Sequence, residues 1–279
     1  MTSPEPDPLV ICVAPNGARK VKADHPGVPL TAAEMAEGAA RWRDAGACML
    51  HLHVRDAVGG HILDADLYRE AMAAVRSTVG DDMILQITTE AVGRYTAPEQ
   101  MAVVRAVRPE AVSLAVRELI PDADHESAAA AFLEDLYAAE CFVQYILYSG
   151  EDVDRLRDLC RRGIVPGNRM NVLFVLGRYT RNQESDPRDV LPFVERWDTI
   201  RDGLWSVCAF GRREAACVLT AAGLGGHARV GFENNLHRAD GSLAADNADL
   251  VAQVAQGGRL FGRRPAKADQ ARALFSECR

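Results

Sequence analysis

The sequence predicts a (β/α)8 TIM barrel with additional C-terminal helices, and three observations carry that expectation. Eight short apolar or β-branched runs alternate with helix-patterned segments at regular spacing along the 279 residues. The runs are close to continuously apolar, as parallel strands buried on both faces are. Residues with metal-binding chemistry stand at the carboxyl ends of the second and eighth runs, and these meet across the first run only if the sheet closes. An open doubly wound sheet gives the same alternation without that meeting. Pro15-Asn16-Gly17-Ala18, after the first run, also lacks the glycine spacing of a dinucleotide fingerprint.

Leu9 to Pro15 reads as the first buried strand, followed by a loop over 16–29 rich in Gly, Lys and Pro. Thr31 and Glu34 form a capping box that opens a helix through Ala45, where Gly46 stops it. Met49 to Asp56 is the second strand and runs into a turn at Gly59-Gly60. Asp64 caps a helix to Val79 with Leu67, Ala71 and Val75 on one face. Met83 to Thr89 is the third strand, and Pro98 starts a helix as a first-turn proline, ending near Val107. Ala111 to Val116 is the fourth strand, and the alanine-rich stretch from Asp124 to Ala139 the fourth helix. Cys141 to Tyr148 is strand five, with a helix from Glu151 to Arg162 closed by Gly163. Asn171 to Leu176 is strand six, with a helix from Pro187 to Ile200. Leu204 to Phe210 is strand seven, with a helix from Arg212 to Ala222 stopped by Gly223. His227 to Phe232 is strand eight, and helices over Leu243 to Ala255 and Pro265 to Phe275 close the chain.

About half of the chain is apolar and a quarter charged, an ordinary globular composition with enough apolar mass for a closed core. The expected organisation is a loose tail over residues 1–8 and a single barrel domain over 9–279 that includes the C-terminal helices. A formal charge of -7 argues against a nucleic-acid partner, and the short Arg259–Arg264 patch does not reverse that. The seven cysteines show neither C-x-x-C spacing nor a secreted pattern, so they read as reduced core residues of a cytoplasmic protein. No segment has the apolar length of a membrane span, and residues 1–8 lack a signal-peptide core.

Chemistry concentrates in two stretches. In Met49-Leu50-His51-Leu52-His53-Val54-Arg55-Asp56, His51 and His53 are two apart on a strand and share a face. Paired imidazoles at a strand end suit a divalent transition metal, zinc by preference, although two such residues alone can equally be a hydrogen-bonded pair. Read as a strand, Arg229-Val230-Gly231-Phe232-Glu233-Asn234-Asn235 puts Arg229, Gly231 and Glu233 on one face. Glu233 then supplies a carboxylate ligand and leaves open positions for a substrate.

The chain resembles the β-keto acid cleavage enzymes, whose founding activity is 3-keto-5-aminohexanoate cleavage. The matching pieces include Ala14-Pro15-Asn16-Gly17-Ala18, His25-Pro26 through Pro29-Leu30-Thr31, and His51 to Asp56. Further along come Gln86-Ile87-Thr88-Thr89, Gly211-Arg212 and Gly225 to Asn235. The resemblance implies a zinc-dependent barrel enzyme, usually a homotetramer. Such enzymes condense a β-keto acid with acetyl-CoA to give acetoacetate and a new acyl-CoA. It implies His51, His53 and Glu233 as the zinc ligands, Arg229 as the strand-eight arginine and Thr88 as the hydroxyl residue after strand three. Zinc is then the Lewis acid on the keto group, and Arg229 offers paired donors to a carboxylate or oxyanion.

Departures from the family pattern set further expectations. The family has an aspartate after its glutamate ligand, where this chain has Asn234, and an amide accepts no proton near neutral pH. Asn234 is therefore expected beside the metal and Arg229 as a hydrogen-bond donor to substrate. Arg19 stands about where the founding enzyme has a glutamate, which disfavours a cationic substrate. Arg19 and Lys22 are either solvated loop residues or contacts for CoA phosphates or an anionic substrate. Glu90 and Glu118, at strand ends, are secondary candidates for the missing base. Two other activities remain compatible with these residues. One is a CoA-independent, metal-assisted hydrolase or decarboxylase of keto acids; the other is a non-catalytic, zinc-dependent keto-acid-binding protein. A homo-oligomer is expected from the resemblance and from the C-terminal stretch carrying Leu250, Val254 and Leu260, which needs cover.

Overall fold

The computed structural model describes residues 7–167, 169–197 and 203–278. In chain order its first half runs β1 (Ile11–Val13), α1 (Ala32–Ala45), β2 (Met49–Leu52), β3 (Val54–Arg55), β4 (His61–Ile62), α2 (Ala65–Val79) and β5 (Ile84–Thr88). It continues through α3 (Ala97–Val107), β6 (Ala111–Ala115), α4 (Val116–Leu119), α5 (Glu126–Ala138), β7 (Phe142–Leu147) and α6 (Gly150–Arg161). The second half comprises β8 (Met170–Leu176), α7 (Leu191–Trp197), β9 (Gly203–Ala209), α8 (Glu214–Gly223), β10 (His227–Val230), α9 (Asn247–Arg259) and α10 (Ala268–Ser276).

Eight parallel strands close in the order β1-β10-β9-β8-β7-β6-β5-β2, so the expected (β/α)8 barrel is present. Strand β1 pairs with β10 on one side and with β2 on the other, which brings the second and eighth barrel strands to either side of the first. The helix starts follow local chemistry. Thr31 and Glu34 complete their capping box, and Asp64 accepts from the backbone of Asp66 and Leu67. Pro98 lies in the first turn of α3, behind an N-cap at Thr96.

The interior of the barrel is layered. Near the amino ends of the strands lie Cys12, Met49, Ile84, Ala111 and Phe142, closed from below by Phe275 of α10, whose ring meets Phe142 edge-on at 5.6 Å. One step up, the inward positions turn polar: His51 pairs in register with Gln86, and Gln144 with both Ser113 and Asn171. At the carboxyl ends the β6–β9 side is apolar again.

Several expectations needed correction. The second strand does not run unbroken from Met49 to Asp56. Strand β2 stops at Leu52, and β3 leaves the barrel to pair antiparallel with β4, Val54 with Ile62 and Arg55 with His61. Strand eight ends at Val230 rather than Phe232. Gly231 there has φ 143°, and a Cβ on it would stand 2.3 Å from the Ala14 carbonyl oxygen, so only glycine permits the turn. Glu233 therefore lies on a turn beyond the strand. The last two helices start later than expected, behind Asp246 and Lys267, and the final residues of the helix expected over Pro187 to Ile200 lie outside the described residues. Of the tail expected over 1–8, residues 1–6 also lie outside; the carbonyls of Asp7 and Pro8 accept hydrogen bonds from Arg263. Leu250 and Val254 need no partner chain, because α9 buries them fully within this one. No disulfide joins the cysteines among the described residues, and no helix among them is long and apolar enough to cross a membrane.

Candidate active site

Three donor atoms converge at the barrel mouth. His51 Nε2 lies 3.1 Å from His53 Nε2, and Glu233 Oε2 lies 3.6 Å from the first and 3.5 Å from the second. Three corners of a tetrahedron around zinc, with bonds of about 2.0–2.1 Å, stand about 3.3 Å apart. The triangle therefore has the size of a zinc face with its remaining positions open. Glu233 Oε2 is buried and has no hydrogen-bond partner, an arrangement that a cation bound between the three groups would satisfy. Two neutral imidazoles and a carboxylate are a zinc donor set, and these residues fit the ion that the sequence implies.

Surrounding groups fix this arrangement. His51 Nδ1 donates to Gln86 Oε1 at 2.8 Å, which leaves the Nε2 lone pair toward the triangle. Gln86 Nε2 in turn donates to Gln144 Oε1, and Gln144 Nε2 to Asn171 Oδ1, each at 3.3 Å. A chain of amides thus crosses the barrel under the site. Burial, and next the Arg229 guanidinium, push the His51 imidazole down to about 3, so it is neutral at neutral pH. Burial alone would raise the Glu233 carboxyl, but Arg229 and the two histidines outweigh it and hold it well below the usual range.

Glu233 reaches the triangle because its turn is clamped. Its backbone N–H donates to the Ala14 carbonyl at 3.1 Å. Buried Glu214 accepts from Gly231 N at 3.1 Å and from Asn235 Nδ2 at 3.2 Å. Arg229, one residue before the end of strand eight, donates to Glu233 Oε1 at 2.8 Å, while its Nε is buried without a partner. That free donor beside the donor triangle suits a ligand bearing a carboxylate.

Above the triangle a cavity of about 330 Å³, open solvent at its rim included, is lined on one side by His51, Thr88, Arg229 and Glu233. The Thr88 hydroxyl accepts from Glu90 N at 3.1 Å and keeps its own proton free to donate. A second, outer chamber of about 530 Å³ shares Glu90, Arg178, Phe210 and Glu233 with the first and adds Arg19 and Lys20.

The structure thus gathers His51, His53, Glu233, Arg229 and Thr88, with Arg19 at the entrance. Lys22 is placed elsewhere: it ion-pairs with Glu34 at 2.5 Å and donates to the Pro26 carbonyl, and Lys20 takes the chamber wall. Asn234 is buried, and both polar atoms of its side-chain amide lack hydrogen-bond partners, so no hydrogen bond joins it to Arg229, and it lines neither chamber. Arg55 lines neither chamber. It follows the break after β2 and donates to the carbonyls of Gly17, Ala18 and Lys20, holding the loop that carries Arg19. Glu118 accepts from Ala91 N outside the cavity, whereas Glu90 lines both chambers. Gln86, Asn171 and Glu214 were not singled out from the sequence. The even spacing of Gln86 and Thr88 on β5 was the available signal for the first.

The family described as beta-keto acid cleavage enzyme matches residues 8–276. The chain belongs to that family. It is 30% identical over 278 residues to a 3-oxoadipate:acetyl-CoA acetyltransferase of Cupriavidus necator, covering 96% of this chain and 94% of that protein. It is also 30% identical over 274 residues to a 3-keto-5-aminohexanoate cleavage enzyme of Fusobacterium nucleatum, covering 96% and 97%. Among solved structures, ObcA in a ternary complex with a C4-CoA adduct and oxalate superposes with a TM-score of 0.73 at 18% identity, over 90% of this chain and 68% of that one, a likeness of fold. This beta-keto acid cleavage enzyme family member is thus an enzyme whose relatives are named for acetyl-CoA-dependent transfer and keto-acid cleavage. Enzyme membership sets aside the reading as a non-catalytic binding protein.

Proposed function

We propose that this enzyme converts a β-keto acid and acetyl-CoA into acetoacetate and a new acyl-CoA, with Zn2+ held by His51, His53 and Glu233. The reading is carried by the closed triangle of donor atoms 3.1–3.6 Å apart beside the partnerless Arg229 Nε. Zinc, when bound, supplies a Lewis acid for the keto oxygen. The exchange balances without water or a redox partner. The C2–C3 bond of the keto acid and the thioester C–S bond break, and a carbon–carbon bond to the acetyl group and a new thioester bond form.

The residues divide that work. Arg229 binds the carboxylate through the donor it has free, and Thr88 orients the substrate through its hydroxyl proton. Arg19, with Lys20, offers cationic groups to acetyl-CoA in the outer chamber. Lys22, tied to Glu34, is left out of that set. Asn234 accepts no proton, and Glu90 takes that part: it is a carboxylate on the walls of both chambers whose Oε2 stands 3.9 Å from His53 Nε2. We also propose a homotetramer, from the family resemblance.

Incubation of the zinc-loaded protein with β-keto acids and acetyl-CoA, with acetoacetate and acetyl-CoA followed together, tests the reading. Equal appearance of acetoacetate and loss of acetyl-CoA is expected. Product formed without acetyl-CoA would instead establish the CoA-independent hydrolase or decarboxylase.

A further inference from the structure

The inner cavity has two unlike sides. Opposite the metal triangle its wall is Ile146 near the end of β7, Val175 near the end of β8 and Phe210 just past β9. These three join Ala115, Leu173 and Cys208 in an apolar cluster separate from the main core, so the wall is backed by further apolar groups. They arise from strand alternation: Gln144 and Ile146 share the inward face of β7, as Asn171, Leu173 and Val175 do on β8.

The charges lining this cavity are already matched. Arg229 pairs with Glu233 at 2.8 Å, and Arg178 with Glu90 at 3.4 Å. The Arg178 guanidinium also lies over the Phe210 ring at 5.4 Å, covering a face of it with a cation that already has its anion. One end of a β-keto acid is claimed by Arg229 and the metal triangle. A charged group at the other end would be stripped of water against Ile146, Val175 and Phe210, where the lining offers no unpaired charge and Tyr148 adds only a neutral phenol, which is unfavourable. An alkyl chain on the same wall gains by leaving water. The cationic residues Arg19 and Lys20 line only the outer chamber, the one proposed above for acetyl-CoA.

We propose that the preferred substrate is a β-keto acid whose acyl end is a short, uncharged alkyl chain packed on Ile146, Val175 and Phe210. The proposal rests on the condensation with acetyl-CoA described above. It separates this enzyme from relatives named for 3-oxoadipate and 3-keto-5-aminohexanoate, acids with a charged group beyond the keto carbon.

Three six-carbon acids that differ only beyond the keto group provide the test: 3-oxohexanoate, 3-oxoadipate and 5-amino-3-oxohexanoate. With zinc-loaded enzyme and acetyl-CoA, kcat/KM for 3-oxohexanoate is expected to exceed that of either charged acid by about 100-fold. Equal values, or a charged acid in first place, would overturn the proposal. If none of the three turns over, the condensation reading fails, and calorimetric titration with the same acids still decides the question of the wall. There 3-oxohexanoate is expected to bind about tenfold or more tighter than the others; equal binding or tighter binding of a charged acid overturns the proposal. Val175→Thr, which sets a hydroxyl into the wall, is expected to lower the preference for 3-oxohexanoate over the charged acids several-fold. A loss shared equally by all three would refute the assignment of the wall.

Discussion

Glu233 divides its two carboxylate oxygens: Oε1 accepts from Arg229, and Oε2 faces the two histidines. Glu233→Gln keeps the volume but removes the charge and confronts Arg229 or the metal with an amide N–H. Zinc retained after dialysis, measured by elemental analysis, is expected to fall at least about tenfold, with far-ultraviolet circular dichroism unchanged. Full zinc retention would remove Glu233 from the ligand set. Glu90 is expected to act on the rate alone. Glu90→Gln should lower kcat by about 10²–10⁴-fold at unchanged zinc content, the range of a lost general base. An unchanged kcat would hand that role to another group. Asn234→Asp puts a carboxylate at a buried position directly after Glu233, where the added negative charge opposes an anionic substrate. Its kcat/KM is expected to fall, and a gain of tenfold or more would show that the aspartate of the family pattern still has a use in this site.

At the scale of elements, the turn after strand eight decides whether Glu233 arrives. Burial raises the Glu214 carboxyl that clamps this turn from 4.5 to about 8, against the opposing hydrogen bonds from Asn235 and Gly231. A carboxyl raised on folding binds its proton more tightly in the native state. Its contribution is fully present below the unfolded value of 4.5 and is lost as pH rises through about 8. Chemical denaturation of the wild type should therefore show a stability loss approaching about 1.4 kcal/mol per pH unit across that window, relative to Glu214→Gln. Parallel pH profiles would place the Glu214 carboxyl near its ordinary value. This clamp also shows what a sequence withholds. His51 and His53 were legible from their two-residue spacing in an extended run, although β2 ends at Leu52 and His53 stands just past it. Their partner Glu233 was legible only through the closure of the barrel, and its placement on a turn hinged on Gly231 was not. The amide chain of Gln86, Gln144 and Asn171 comes from three strands, so no local spacing marks it. Lys22 and Lys20 differ by two places in a loop without periodicity, and only the Glu34 ion pair separates them.

At the scale of the whole molecule, alternation of apolar strands and capped helices suits an open sheet as well as a closed barrel, and it was the need for the ends of the second and eighth strands to meet across the first that favoured the closure observed. Assembly is a different matter. The C-terminal stretch was expected to need cover, yet α9 turns Leu250 and Val254 fully into its own chain. What remains outside is Leu260, 87% exposed, with Phe261 at 48% and Leu224 at 49%. Phe261 lies against Gly223, since a Cβ there would meet its ring at 3.3 Å, so these side chains belong to one region of the surface. Side chains of this size left open together are a small apolar patch of the kind that association covers. In the proposed homotetramer the patch lies in an interface. Sedimentation velocity at micromolar concentration is then expected to show a tetramer, and Leu260→Asp combined with Phe261→Asp to shift it toward smaller species. The doubly charged variant should keep its thermal midpoint within a few degrees once dissociated, because neither side chain is buried in the barrel core. A wild type that sediments as a monomer would reject the assembly, and a variant that stays tetrameric would move the interface to another face.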